Sequence, residues 1–456
     1  MAGSAGAPLM ADKFYAPPID EYLPQNGNRG YRVSRYELDL VYKVSSNRLS
    51  GRATITAVTT AVQPRFALDL SQSLGVTKVF VNGSKAAKYT HHRGKLTVTP
   101  AHKVPSGGAL VVAVQYAGTP TPVRGQWGEV GWEELTEGAL VASQPNGAAS
   151  WFPCDDHPSS KASYRISITT DSPYYAVANG ALVRKQTKAS QTTWVYDQPE
   201  PMASYLATIQ IGPYRKYRVG SVHDDAVPMQ AILPARLRAN FDYDFARQPR
   251  MMAEFAERFG PYPFGSYTVV VTDDDLEIPI EAQGMSIFGA NHCDGRRGAE
   301  RLVAHELAHQ WFGNSLTVGQ WRDIWLHEGF ACYAEWIWSE ASGGPEADDL
   351  ARAARQNLAR SPQDIVVGDP GPRLMFDDRV YKRGALTLHA LRLSLGDPGF
   401  LGLLREWTAR YRHSTVSTEE FADLAGRYST ASLRPLWNRW LYETALPELP
   451  APGATR

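Results

Sequence analysis

The chain has 456 residues, 43% hydrophobic and 21% charged, which is ordinary globular composition at a length that supports two or three cores. Lys plus Arg and Asp plus Glu both number 47, so the formal net charge is zero, and no long run of one sign marks nucleic acid or an anionic membrane as a partner. Cys154, Cys293 and Cys332 are too few and too scattered for a disulfide framework or a Cys-x-x-Cys metal motif.

From the start, Met1 to Lys13 is small and polar without an apolar stretch, so no secretory signal is expected and the default compartment is the cytoplasm. A mature secreted chain would carry the same texture. No stretch approaches the roughly 18 apolar residues that a membrane span needs. Tyr31 to Leu40, Ala53 to Val58 and Lys95 to Val98 alternate in polarity, and Asn82-Gly83 and Gly107-Gly108 punctuate them as turns. Tyr164 to Ile168 and Tyr205 to Ile211 continue the pattern. Residues 1–217 therefore predict a large antiparallel sheet or sandwich. Residues 218–456 change texture: Phe241 to Phe259 reads as helix, Tyr267 to Thr272 as a buried strand, and Glu346 to Ala359, Gly384 to Leu395 and Glu419 to Tyr428 as helices. Asp273-Asp274-Asp275 reads as a solvated turn, and the tail from Pro447 as loose.

His305-Glu306-Leu307-Ala308-His309 carries the chemistry. Glu300 to Phe312 fits a helix, with Gly313 as its stop. Histidines four apart on a helix leave one face, about 5–6 Å apart at Cβ, so both can reach one ion. Glu306 points to a neighbouring face. Eighteen residues later Glu328 lies on a second predicted helix, Trp325 to Glu335, and offers a third ligand. His₂Glu leaves one coordination position open, as in catalytic rather than structural zinc sites. Glu335 falls two turns on from Glu328, placed to orient a ligand histidine or to act as a plain helix polar.

These segments resemble the M1 family of zinc aminopeptidases. The likeness runs through Trp151-Phe152-Pro153-Cys154-Asp155-Asp156-His157-Pro158-Ser159-Ser160-Lys161-Ala162, His305 to Asn314, Trp325 to Glu335 and Val380-Tyr381-Lys382-Arg383-Gly384-Ala385. It implies a saddle-like β domain followed by a thermolysin-like α+β catalytic domain, in a short form without the helical C-terminal domain of longer members. It also implies one zinc ion on His305, His309 and Glu328, with Glu306 as general base and Tyr381 as a donor to the oxyanion. The substrate's amine and main chain would meet Glu281, with Gln144 in the same pocket. The family's Gly-x-Met-Glu-Asn strand is altered here to Ile278-Pro279-Ile280-Glu281-Ala282-Gln283-Gly284; Gln283 is expected to compensate, and Pro279 cannot donate a backbone hydrogen bond. His327 stands where Asn often precedes the third ligand. The expectation is a monomeric aminopeptidase acting on peptides with a free N-terminus; an endopeptidase or another metallohydrolase on the same fold is the alternative.

Overall fold

The computed structural model describes residues 19–220 and 227–451. The Met1 to Lys13 segment and the last residues of the Pro-rich tail lie outside them.

The N-terminal part is built on an eight-stranded sheet. Its order runs Ala181–Lys188, Gln191–Ala203, Lys161–Asp171, Tyr31–Lys43, Arg48–Thr59, Ala109–Gly118, Leu74–Val81 and Ser84–Lys85. Strand Tyr31–Lys43 shows how the alternation works. Tyr31 and Val33 face the core, then Tyr36, Leu38, Leu40 and Tyr42 do so on the opposite parity. A register shift between Val33 and Arg35 supplies the extra residue that keeps one face apolar. Tyr31–Lys43 runs parallel to Lys161–Asp171, whereas the other pairs in the sheet are antiparallel. The expected antiparallel sheet thus holds except at this one join. Beside it, a five-stranded sheet orders Tyr175–Ala178, Ile209–Gly212, Gly138–Ala142, Gly128–Leu135 and Val123–Gly125.

Two expectations shift in this part. Tyr205 to Ile211 is not one strand: Ser204–Leu206 is a 3-10 turn and only Ile209–Gly212 pairs. Tyr205 leaves the sheet to pack its ring on Trp321, with centroids 5.1 Å apart, so its apolar character serves a tertiary contact and not strand pairing. The expected boundary after residue 217 falls inside strand Arg215–Arg218, which pairs with Met229–Leu233 and so belongs to the second part's sheet. That sheet continues through Tyr267–Val271 and Met285–Phe288 to its edge, Ile280–Ala282.

Helices cover the second part. The predicted Phe241 to Phe259 helix is two, Arg238–Asp244 and Gln248–Phe259, and Pro249 sits in the first turn of the second. Proline belongs there because it has no N–H to leave unsatisfied. Helix Asp378–Arg410 extends the predicted Gly384 to Leu395 in both directions, capped by Asp377 and kinked at Gly396 (φ +71°) ahead of Pro398. It crosses helix Trp325–Ser342 at two glycines. A Cβ on Gly384 would lie 2.9 Å from the Gly329 Cα, so neither position has room for a side chain. No helix among the described residues is long and apolar enough to cross a membrane.

Arg383, almost fully buried, donates to the carbonyls of Trp440, Thr444, Arg439, Glu443 and Ala445 at 2.5–3.0 Å. It ties the C-terminal segment to the Asp378–Arg410 helix. The tail beyond is held where the sequence read loose: Arg355 donates to the Pro447 carbonyl at 2.7 Å and pairs with Glu448. Hydrogen bonds from a charged donor contribute about 1.5–3 kcal/mol each, and buried acceptors stripped of a donor add a desolvation cost. Arg383→Met should therefore lose on the order of 3 kcal/mol, read as a lower urea midpoint with early proteolysis near residues 439–445.

Candidate active site

Four segments converge. Helix Glu300–Ala308 carries His305 and Glu306, and ends one residue before His309, shorter than the predicted Glu300 to Phe312. The following turn folds back so that His309 Nδ1 donates to the Phe312 carbonyl at 3.0 Å. Helix Trp325–Ser342 carries Glu328 in its first turn and Glu335 two turns later. Tyr381 lies in the first turn of Asp378–Arg410. Glu281 sits mid-way along the edge strand Ile280–Ala282, opposite Ser286.

The imidazoles are aimed. His305 Nδ1 lies 2.7 Å from Glu335 Oε1, an oxygen that Arg301 also contacts at 2.8 Å. With Nδ1 of each ring facing a fixed acceptor, Nε2 is the nitrogen that each ring presents to Glu328. The two Nε2 atoms then stand 3.5 Å and 3.4 Å from the same Glu328 oxygen. All three ligand atoms lie within 4.8 Å of one another, and all three residues are buried. His327 does not compete: its Nε2 accepts from the Val318 N–H at 2.8 Å.

A second grouping, Glu281, Glu306 and His309, shares His309 within the same 4.8 Å limit. Gln144 Nε2 donates to Glu281 Oε1 at 2.7 Å, so the β part contributes an amide directly to this carboxylate. Gln283 is corrected. Fully buried, its amide donates to the Glu200 and Pro201 carbonyls, so its nitrogen is engaged by backbone. Pairing of its residue type with the altered strand could not reveal those partners. Two residues quoted in the motif without a role turn out to hold the strand: Gln310 bonds the Ala282 and Met285 carbonyls and the Gly284 N–H, and Asn314 Nδ2 bonds the Ala282 carbonyl at 2.9 Å. Their polarity amid buried neighbours was the available signal.

Charge at the site is lopsided. Burial pulls the imidazoles down, but Glu328 and Glu335 outweigh it for His305, to about 9, and Glu328 and Glu281 for His309, to about 10. Burial raises Glu328, yet the two histidines overcome it and hold it ionised. Burial pushes Glu306 up to about 7, against the pull of both histidines. Tyr381 is raised well above its ordinary value, first by burial and then by Glu328, Glu281 and Glu306, so its hydroxyl stays protonated. Its ring stacks on His305 with centroids 6.1 Å apart. Four carboxylates around two imidazoles ask for a cation. Glu306 Oε2, buried without a hydrogen-bond partner, asks for a further polar ligand. Two nitrogen lone pairs and one carboxylate oxygen suit zinc with an open position.

Comparison with known proteins agrees. The model of the Peptidase M1 N-terminal domain matches residues 33–206, and that of the Peptidase family M1 domain matches residues 243–440. Endoplasmic reticulum aminopeptidase 1 of Homo sapiens is 28% identical over 66% of this chain, and Aminopeptidase M1-D of Oryza sativa subsp. japonica 24% over 91%. The chain spans only 34% and 50% of those two proteins. An M1 zinc metallopeptidase from Deinococcus radiodurans, solved in a mutant form with a Tyr-Ser-Ala substrate, superposes with a TM-score of 0.87 and 29% identity over 95% of this chain and 99% of that one. With both family domains matched in order and the fold shared throughout, the chain belongs to peptidase family M1, as a metallopeptidase with a β-rich N-terminal domain and an α+β catalytic domain.

Proposed function

We propose that the protein is a zinc aminopeptidase that removes N-terminal residues from peptides, with zinc held by His305, His309 and Glu328. The observation that carries the exopeptidase reading is the Gln144–Glu281 pair beside Glu306 and His309. A half-buried carboxylate there is a poor neighbour for an internal peptide bond. A free ammonium compensates its charge, and a blocked amine leaves it unpaired. Gln144 occupies Oε1, which leaves Oε2 for the amine.

Zinc, when bound, supplies Lewis acidity that brings the pKa of water from 15.7 towards 7 and polarises a carbonyl. The rest is done by side chains. Glu306 Oε2, free of other partners, accepts the proton of the attacking water and delivers it to the leaving amine. The Tyr381 hydroxyl, held protonated, donates to the oxyanion that develops on the scissile carbonyl. Glu335 and the Phe312 carbonyl hold the rings of His305 and His309 in the tautomer that presents Nε2.

The deciding assay pairs free-amine aminoacyl-arylamides with their N-acetylated twins, using zinc-loaded protein. Hydrolysis of the free-amine set alone is expected; cleavage of the blocked twins would replace the aminopeptidase reading with an endopeptidase one. Glu306→Gln should retain stoichiometric zinc by elemental analysis while kcat falls about 10²–10⁴-fold, the usual contribution of a general base. Tyr381→Phe should lower kcat about 10²–10³-fold with little change in KM, as for a lost oxyanion donor.

A further inference from the structure

We propose that Lys161 is a positioning residue through which the β domain sets the place of the amine-binding carboxylate, by pinning the loop that follows the metal-motif helix. The inference rests on the aminopeptidase reading for its kinetic readout only.

Lys161 opens strand Lys161–Asp171 and is next to last in the Trp151 to Ala162 segment. Its ammonium reaches out of the sheet and donates to the Asn314 carbonyl at 3.0 Å, the Ser315 carbonyl at 2.7 Å and the Ser414 carbonyl at 3.4 Å. No ion pair with a carboxylate is formed by it among the described residues. Lys161 is half-buried and desolvation draws its pKa down to about 7, so a strongly hydrated group gives up part of its water to serve three carbonyls. Tyr205, also from the β part, donates to the next carbonyl back, Gly313, at 3.3 Å.

Those carbonyls belong to a junction. The Asn314 N–H bonds the His309 carbonyl at 3.0 Å and the Ser315 N–H bonds Gln310 at 3.1 Å, which fastens the loop to the end of the metal-motif helix. The Asn314 side chain holds Ala282, the residue after Glu281. Further on, the Val318 N–H fixes His327, the residue before Glu328. Ser414 is joined in turn, since its carbonyl accepts from the Thr317 N–H at 3.1 Å. The same β part that contributes Gln144 to Glu281 therefore also holds, through Lys161, the loop that braces Glu281 from behind.

The branch from Asn314 leads to the amine anchor, whereas His305, His309 and Glu328 have their own supports at Glu335, Phe312 and the helix. Removing the ammonium should loosen the anchor before it loosens zinc. Lys161→Met keeps the length of the side chain without donors, and Lys161→Arg keeps charge and donors. Three readouts are compared with wild type: steady-state kinetics on a free-amine arylamide, zinc content, and hydrogen–deuterium exchange of peptides covering residues 309–318. Lys161→Met should lower kcat/KM about ten-fold or more, mainly through KM, since sub-ångström misplacement of a binding group is costly. Zinc content should stay at wild type, amide exchange in 309–318 should quicken while strand Arg48–Thr59 is unchanged, and Lys161→Arg should restore most of both. Wild-type KM and exchange in Lys161→Met would overturn the proposal, as would a loss confined to thermal stability with kcat/KM unchanged. If Lys161→Met fails to fold while Lys161→Arg folds with wild-type kinetics and exchange, the proposal stands. An inactive wild type would instead count against the peptidase reading, and the exchange arm alone would then decide for or against Lys161.

Discussion

The close approach of two helices at Gly329 and Gly384 is what the rest of the site depends on. Glu328 is adjacent to the first glycine and Tyr381 lies one turn before the second. Backbones that touch at this point place a carboxylate and a phenol from different helices against the same histidine, and nothing larger than hydrogen fits between them. Interior packing transmits such a constraint faithfully, because well-packed side chains do not yield continuously. An aromatic wall, Trp325 and Phe330 on one helix and Trp407 on the other, meets at Phe421 in edge contacts and ties the two helices together. Geometry that looks like catalytic design is in this sense first a packing result.

The second determinant is buried charge. Glu281, Glu306, Glu328 and Glu335 lie within one desolvated region, and Arg301 and Lys382 neutralise only the outermost of them. Burying carboxylates is costly; the two histidines offset part of that cost, and under the proposed function a metal on one side of His309 and a substrate ammonium on the other would offset the rest. On that proposal one asymmetric pocket would serve two positive guests, and specificity for a chain terminus would follow from electrostatics without any need for a wall that blocks longer peptides.

Much of this was legible before any coordinates. Spacing placed His305, His309, Glu306 and Glu328, and alternation placed the strands, because both depend on fixed local periods. What was not legible depends on contacts between distant segments. Tyr205 alternates like a strand residue but bends away to meet Trp321. Phe241 to Phe259 reads as one apolar helix, yet the break after Asp244 lets that carboxylate accept from the Gly295 and Arg297 N–H groups. Gln283 and Gln144 are alike as letters; only the tertiary arrangement sends one into the packing and the other to Glu281. The strand Arg215–Arg218 looks like an ending and is the beginning of the second sheet.

The guanidinium of Arg383 has a consequence in time as well as in space. Its five acceptors are carbonyls of residues 439–445, made some sixty residues after the arginine itself. During synthesis from the N-terminus, the β domain has everything it needs early, and domains generally fold as units in that order. The helix that carries Tyr381 does not. Until the late segment emerges, its buried cation has no acceptors, and docking it against Gly329 would strand a charge in the core. The arrangement of Tyr381 against His305 is therefore withheld until residues 439–445 have been made.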